Sequence, residues 1–239
     1  MSNAVEINAW RLSDGDNGGD SDTTLFARIA ADLTRHGHSI RPASMPASLV
    51  DPLHAHVQSM NETQFRAAGI GRGENFVRSQ FIRTDEICWI DGSSPAGEAW
   101  LQWAQKLRLY LNEKLLLGLF SFESHFSHYA PGDYYKRHRD AFKSDALDRR
   151  AQPADSNRVL SLVLYLNPGW SARDGGELVL YKDDADAIGT KVTPLMGTLV
   201  IFLSEEFPHE VLPAARDRYA IAGWYRVNSS SADRADPPR

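Results

Sequence analysis

Among the eight histidines of this chain, His138 has the neighbour best suited to chemistry. It stands in the run HRD, two residues before Asp140. In an extended strand the period of two puts both side chains on one face. An imidazole and a carboxylate then lie side by side and can share one metal ion. His209, in FPHEVLP, follows in a later stretch of the same β-rich region. Two imidazoles and a carboxylate on one face of a metal leave its other positions open. That is the facial arrangement of non-haem Fe(II) sites that admit a cosubstrate and O2. No thiolate ligand competes, since Cys88 is the one cysteine. The alternatives are plainer: an H-x-D surface pair, and a buried histidine bonded to backbone.

Arg218 opens the run RYAIAGWYR. Alternation places Arg218, Ala220, Ala222 and Trp224 on one face. Two alanines beside an arginine leave a space with a guanidinium at its end. The planar fork of arginine accepts a carboxylate through two parallel hydrogen bonds, which suits a dicarboxylate cosubstrate. Tyr165, in RVLSLVLYLN, shares a face with Val163 and Ser161 and offers a phenol as a second donor. Here the alternatives are an ion pair of Arg218 with Asp217 and an ordinary core tyrosine. The remaining histidines read as structural. His36/His38 and His54/His56 are two apart in or beside helices and point in different directions. His125 and His128, three apart in a strand, face opposite sides.

The elements that must carry these residues change character once along the chain. The first half is helical in pattern. Thr23 or Thr24 can cap a helix that runs to about Arg35 and stops at Gly37. A second helix is expected over 47–66, with Pro52 blurring its start. The clearest lies over 96–117, where Trp100, Trp103, Ala104, Leu107, Leu111 and Leu115 follow helical spacing and Gly118 closes it. Residues 68–84 read as a long Gly- and Arg-rich loop that leads into a short strand at 86–90. From Phe120 onward apolar runs recur between turn signals, at 121–130, 134–140, 158–166, 177–181, 198–203, 209–212 and 218–227. Such spacing predicts a sandwich or barrel. A polar loop, 141–157, interrupts it, and long loops of this kind are usually functional. Residues 1–22 and 229–239 are expected to be flexible ends around one domain, 23–228, with helices in 23–118 and a β core in 119–228.

The chain has 239 residues, 42% hydrophobic and 24% charged, which is ordinary globular composition. Its 26 basic and 31 acidic residues leave a formal charge of −5. A protein that works by gripping phosphate backbone is usually basic, so nucleic acid is not an expected partner. No apolar run reaches the length of a membrane helix, and the N-terminus has no signal-peptide pattern. With one cysteine, the expected location is the cytoplasm.

Six segments in order carry a resemblance: IRTDEICWIDG (82–92), HYAPGDYYKRHRD (128–140), RVLSLVLYLNPGW (158–170), DGGELVLY (174–181), GTLVIFLSEEFPHEVLPA (197–214) and RYAIAGWYR (218–226). Together they resemble the 2-oxoglutarate- and Fe(II)-dependent dioxygenases of the prolyl 4-hydroxylase type. The likeness is nearest to the Egl-nine-like branch, which includes the hypoxia-inducible-factor prolyl hydroxylases and bacterial relatives. It implies a mainly β fold with flanking helices, a double-stranded β-helix (jelly roll, cupin-like) with N-terminal supporting helices. It implies Fe(II) on His138, Asp140 and His209, and 2-oxoglutarate held by Arg218 and Tyr165. Tyr129 is placed near the cosubstrate and Trp224 in the pocket wall. Arg83, Tyr135 and Arg158 are the candidates for substrate contact. O2 is the second cosubstrate, and ascorbate is admitted as an accessory.

The activity so implied is hydroxylation of a prolyl residue in an intracellular protein, yielding hydroxyproline, succinate and CO2. By analogy, translation factors are a target class and oxygen sensing a role. The loops 68–84 and 141–157 are expected to clamp the substrate chain. One departure stands out. The branch usually has Thr two positions before the pocket Trp, where this chain has Ala222, so one hydroxyl contact to 2-oxoglutarate is missing. The rival readings are an oxygenase of the same fold acting on nucleic acid or a small molecule, and a non-catalytic cupin-like sensor. Acidic charge argues against nucleic acid as substrate, and the intact His/Asp/His set with Arg218 against the non-catalytic sensor.

Overall fold

A computed structural model of the chain describes residues 18–68, 82–141 and 157–228. Three helices and eleven strands are formed among them. Helix α1 (Gly18–His36) is followed by β1 (His38–Arg41) and α2 (Ala47–Ser59). Strands β2 (Arg66–Ala67) and β3 (Glu86–Trp89) precede α3 (Pro95–Leu115). The remainder is β: β4 (Leu119–Tyr129), β5 (Tyr135–His138), β6 (Arg158–Tyr165), β7 (Leu178–Leu180), β8 (Thr190–Val192), β9 (Leu199–Leu203), β10 (His209–Val211) and β11 (Arg218–Val227).

The strands form two antiparallel sheets. The larger has seven strands in the order β1-β9-β6-β11-β4-β3-β2, and the smaller has four in the order β5-β10-β7-β8. Each long strand of the large sheet has two different faces. Along β11, Ile221 and Tyr225 point outward and pack with Trp100, Leu107 and Leu111 of α3 and Ile29 of α1. Ala220 points inward and packs with Tyr165, Val200 and Phe202 against Leu178, Leu180 and Val211 of the small sheet. One sheet face is thus sealed by helices, and the other encloses the space between two sheets. This is the expected double-stranded β-helix with supporting helices.

Local chemistry explains the helix ends. Ser94 caps α3 by accepting from the Gly97 amide at 3.0 Å, with Pro95 in the first turn. At its other end Leu116 takes the left-handed conformation (φ 53°), ahead of the expected Gly118. Gly37 does stop α1, with φ 72°, and its amide donates to the Leu33 carbonyl at 3.0 Å.

Several expectations need correction. Helix α1 begins at Gly18, ahead of the Thr23 cap. The indole of Trp103 donates to Asp22 at 3.2 Å and ties that turn down. Residues 18–22 are thus helical, while 1–17 and 229–239 lie outside the described residues. The second helix ends at Ser59, and its apolar face is complete at Val57. A 3-10 turn (Glu62–Gln64) and β2 follow. The first half is also less purely helical than its pattern: β1 extends the large sheet beside β9, and β2 pairs with β3. Strand β8 was not expected, since two of its three residues are exposed. The two clamp loops fall largely outside the described residues.

Asn167 stitches the end of β6 to the start of β11. Its Nδ2 donates to the Pro194 and Tyr219 carbonyls at 2.8 and 2.9 Å, and its Oδ1 accepts from the Tyr219 amide at 2.7 Å. Replacement with Ala orphans backbone groups that cost about 1–3 kcal/mol each when buried and unpaired. Asn167→Ala should therefore lower unfolding stability by at least about 2 kcal/mol in urea titration, one of the larger single-site losses.

Candidate metal centre and cosubstrate pocket

His138 ends β5, and β5 pairs with β10 so that His138 lies directly opposite His209. Asp140 follows two residues on. The Nε2 atom of His138 is 3.5 Å from Asp140 Oδ1, and that of His209 is 3.6 Å from Asp140 Oδ2. One ligand atom from each residue lies within 4.8 Å of the others. Among the described residues this is the one such cluster of His, Cys, Asp and Glu. Both imidazoles are oriented by backbone. His138 Nδ1 donates to the Lys136 carbonyl at 2.8 Å and His209 Nδ1 to the Phe207 carbonyl at 3.2 Å. Each Nε2 lone pair is therefore left for a metal. Asp140 Oδ2 accepts from Ser161 Oγ at 2.7 Å, and Ser161 lies 2.9 Å from Ser204 Oγ. Two neutral imidazoles and a carboxylate, each held from behind, fit Fe(II).

The electrostatics keep these groups in ligand form. Burial pushes the Asp140 carboxyl up, but His209, His138 and Arg158 hold it well below the usual carboxylate range. Burial depresses His209 to about 4, helped by the nearby His138. Metal ligands must be deprotonated, so both shifts favour binding near neutral pH.

Arg218 heads β11, opposite Tyr129 of β4. It is 2% exposed, and its guanidinium lies 4.9 Å from the Tyr129 ring centre and 5.0 Å from that of Tyr165. Its Nε donates to the Gly176 carbonyl at 2.9 Å. Gly176 has φ 70°, and a Cβ there would come within 3.2 Å of Arg218 Cδ. Glycine is thus required beside the arginine. Asp217, the alternative ion-pair partner, instead accepts from His128 Nε2 at 2.8 Å. Tyr165 is fully buried, yet its Oη has no hydrogen-bond partner. Such an orphan is costly unless a ligand completes it. Burial raises the phenol pKa and the Arg218 charge works against that rise. Between this end and the metal residues the floor is Ala220, Ala222 and Val163. Ala222 and Val163 pair in the middle of the large sheet, yet both remain partly exposed. An opening therefore lies above them on the inner face, with the guanidinium at its far end. A buried guanidinium beside an unpartnered phenol suits the carboxylate of a cosubstrate such as 2-oxoglutarate.

The other candidates surround this opening. Tyr135 stacks on His138 with ring centres 3.5 Å apart, and the Arg83 guanidinium sits 4.4 Å from the Tyr135 centre. Arg83 is itself gripped by Asp85 through two hydrogen bonds of 2.7 and 2.6 Å. Its planar fork is thus engaged within the protein, and what it offers a substrate is its edge. The Arg158 guanidinium lies 3.8 Å over the Trp224 ring and reaches the Asp140 carbonyl and Glu123 at 3.4 Å. Trp224 Nε1 is buried without a partner.

Comparison with known proteins identifies the family. Residues 124–226 match the model of the 2OG-Fe(II) oxygenase superfamily. A Pseudomonas putida prolyl-4-hydroxylase is 40% identical, with a TM-score of 0.71, covering 84% of this chain and 98% of that one. This chain belongs to the 2OG-Fe(II) oxygenase superfamily. A Trichoplax adhaerens prolyl hydroxylase, solved with a peptide of the hypoxia-inducible-factor oxygen degradation domain, is 25% identical. Its TM-score is 0.73 over 90% of this chain and 94% of that one. Homo sapiens prolyl hydroxylase EGLN3 is 27% identical over 158 residues, 62% of this chain. The match spans 61% of that relative's length.

Sequence reasoning missed three supporting residues. Ser161 stands out in the sequence only through its shared face with Tyr165, yet it holds Asp140. Asp85 was not singled out, although it occupies Arg83. His125 reads as structural from spacing alone. It is 2% exposed on the inner face, between Trp89 and Trp224 at 5.2 and 5.5 Å. Its inward direction follows from its position four residues before Tyr129, an even step along the same strand.

Two outcomes are expected. Ser161→Ala should weaken Mn(II) binding on the order of tenfold in calorimetric titration, the range for lost support behind a ligand. The second concerns acid. Burial, with Arg83 and Arg158 acting the same way, depresses His125 to about 3, and His209 stands at about 4, against an ordinary 6.5. Between about 6.5 and 4 the unfolded chain therefore binds more protons, and stability falls as pH falls. Asp140 acts below this window, because a depressed carboxyl loses its contribution only as pH drops beneath its unfolded value of 3.8. Urea unfolding of the metal-free protein across the window should show this loss, and His125→Gln should make it shallower.

Proposed function

We propose that this protein is a 2-oxoglutarate- and O2-dependent prolyl hydroxylase. It acts on a proline in an intracellular protein and yields hydroxyproline, succinate and CO2. One observation carries the reading. His138, Asp140 and His209 face the same opening that ends at buried Arg218 and the unpartnered Tyr165 hydroxyl. Metal residues alone suit many reactions. A buried fork across an open floor from them calls for a carboxylate-bearing cosubstrate.

Bound Fe(II), with 2-oxoglutarate and O2, would supply the oxidising power to place a hydroxyl on an unactivated C–H bond. The protein's part is placement. Arg218 and Tyr165 would grip the far carboxylate and fix the cosubstrate's direction. The alanine floor gives it width, and the Tyr129 ring bounds its end. Trp224 and Tyr135 flank the metal residues with apolar surface, which excludes water from the reacting position. Tyr135, stacked on His138, and Arg158, over Trp224, would meet the substrate beside the metal residues, with Arg83 behind Tyr135.

The choice of proline rests on the likeness to prolyl hydroxylases, one of them solved with a peptide of the hypoxia-inducible-factor oxygen degradation domain. A cytoplasmic location, a translation-factor target, a role in oxygen sensing and an accessory use of ascorbate belong to the same reading.

Arg218→Lys keeps the charge and loses the fork. It should cost roughly 1.5–3 kcal/mol of 2-oxoglutarate binding, the range for a charged hydrogen bond, and raise the Kd accordingly. An unchanged Kd would place the carboxylate elsewhere. The substrate class is tested by proteome mass spectrometry. Cells with the wild-type protein should show prolines heavier by one oxygen that are absent from a His138→Ala strain. Equal modification in both strains would overturn the proposal.

A further inference from the structure

Three polar atoms without partners lie along the inner face of the large sheet. Two are Tyr165 Oη and Trp224 Nε1. The third is His125 Nε2: the hydrogen bonds of this imidazole, to the Phe126 carbonyl at 3.2 Å and Ser127 Oγ at 3.1 Å, are both made by Nδ1. His125 stands directly opposite Ala222 on β11 and Trp89 on β3. It therefore borders the part of the floor where Ala222 and Val163 remain open. On the next row toward Arg218, Ser127 faces Ala220, which faces Tyr165. On the row beyond Ala222, Trp224 faces Ser161, which holds Asp140. A molecule reaching from the metal residues to Arg218 must pass beside His125. The flanking indoles limit the swing of the ring, so its direction is set in advance.

We infer that His125 is a cosubstrate-binding residue, its Nε2–H donating to the carboxylate of 2-oxoglutarate nearer the metal. The inference rests on the proposed function. Its chemistry is that of a neutral imidazole with a selectable tautomer. Nδ1 can carry the proton toward the Phe126 carbonyl, which only accepts. It can instead accept the Ser127 hydroxyl, which leaves Nε2 protonated. A carboxylate at Nε2 selects the second form. The proton moves between the two ring nitrogens, and the imidazole gains or loses none.

The test is calorimetric titration of the Mn(II)-loaded full chain with 2-oxoglutarate. The amide of Gln reaches the position of Nε2, whereas that of Asn reaches only the position of Nδ1. His125→Gln should bind within about threefold of wild type, and His125→Asn on the order of tenfold more weakly, as for one hydrogen bond to a charged group. Ser127→Ala keeps the imidazole and removes the hydroxyl that selects its tautomer. It should weaken binding severalfold, and it decides the question if the Asn variant does not fold. Mn(II) affinity without cosubstrate should be the same in all four proteins. Wild-type affinity for 2-oxoglutarate in both Asn and Ala variants would overturn the inference and leave the proposed function standing. A parallel fall in Mn(II) affinity would also overturn it, by showing that His125 acts on the metal residues. No binding to the wild-type protein would instead sink the proposed function.

Discussion

The site depends first on the register of β11 between β4 and β6. Side chains alternate with a period of two, so one face of this strand must serve the helices and the other the cavity. Ile221 and Tyr225 are fully buried under α3 and its neighbours, and the Tyr225 hydroxyl donates to the Ala104 carbonyl at 2.9 Å. Those contacts hold the opposite face to one assignment. Arg218, Ala220, Ala222 and Trp224 are then presented inward together. A slip by one residue would bury Arg218 against leucines and put tyrosine and isoleucine into the cavity. The helical layer therefore does functional work at a distance, because its apolar packing forbids the slip.

A second constraint is how charge is kept inside. An isolated buried carboxylate or guanidinium is expensive unless it is paired or hydrogen-bonded. Asp140 has Ser161 and two imidazoles. Arg218 has the Gly176 carbonyl and two aromatic rings. Neither set saturates its charge: Asp140 and the two Nε2 atoms point at one another with room for a cation, and Tyr165 Oη beside Arg218 lacks a partner. Unsatisfied polar atoms are rare in a folded interior. Their concentration along one opening marks it as a place where binding, rather than folding, completes the hydrogen bonding.

How much of this was legible in the sequence divides along physical lines. The proximity of His138 to Asp140 and the shared face of Arg218 with Ala220, Ala222 and Trp224 were readable from a spacing of two, although Asp140 itself lies just beyond the end of β5. Helix α3 was readable because its apolar stripe is long and regular. The start of α1 was not, since Asp22 near its beginning is held by Trp103 from another helix, a contact no local pattern encodes. Strands β1 and β2 are too short to show a period and exist because β9 and β3 offer edges to pair with. β8 carries mostly exposed residues and has no apolar signature. Among site residues, Ser161 and Asp85 are small polar groups whose roles depend on the residues across from them. His125 shows the limit most clearly. Its spacing from His128 correctly placed the two on opposite faces, yet the pattern could not say which face enclosed a cavity.

That face matters because the floor is defined by what is missing. Ala220 and Ala222 matter through their small volume, and Gly176 through the Cβ that would press on Arg218. A pocket of this kind is a stretch where large side chains stop, bounded by ones that remain: Tyr129, Tyr165, His125 and Trp224. The residues at its rim keep hydrogen-bonding atoms that the protein leaves unused. An interior that is otherwise close-packed tolerates such a gap only where the surrounding sheet is over-determined. Here the central strands are bonded on both sides and sealed behind by helices. The rigidity of the large sheet is what allows an arginine, a phenol and an imidazole to wait in place for a ligand they have not yet met.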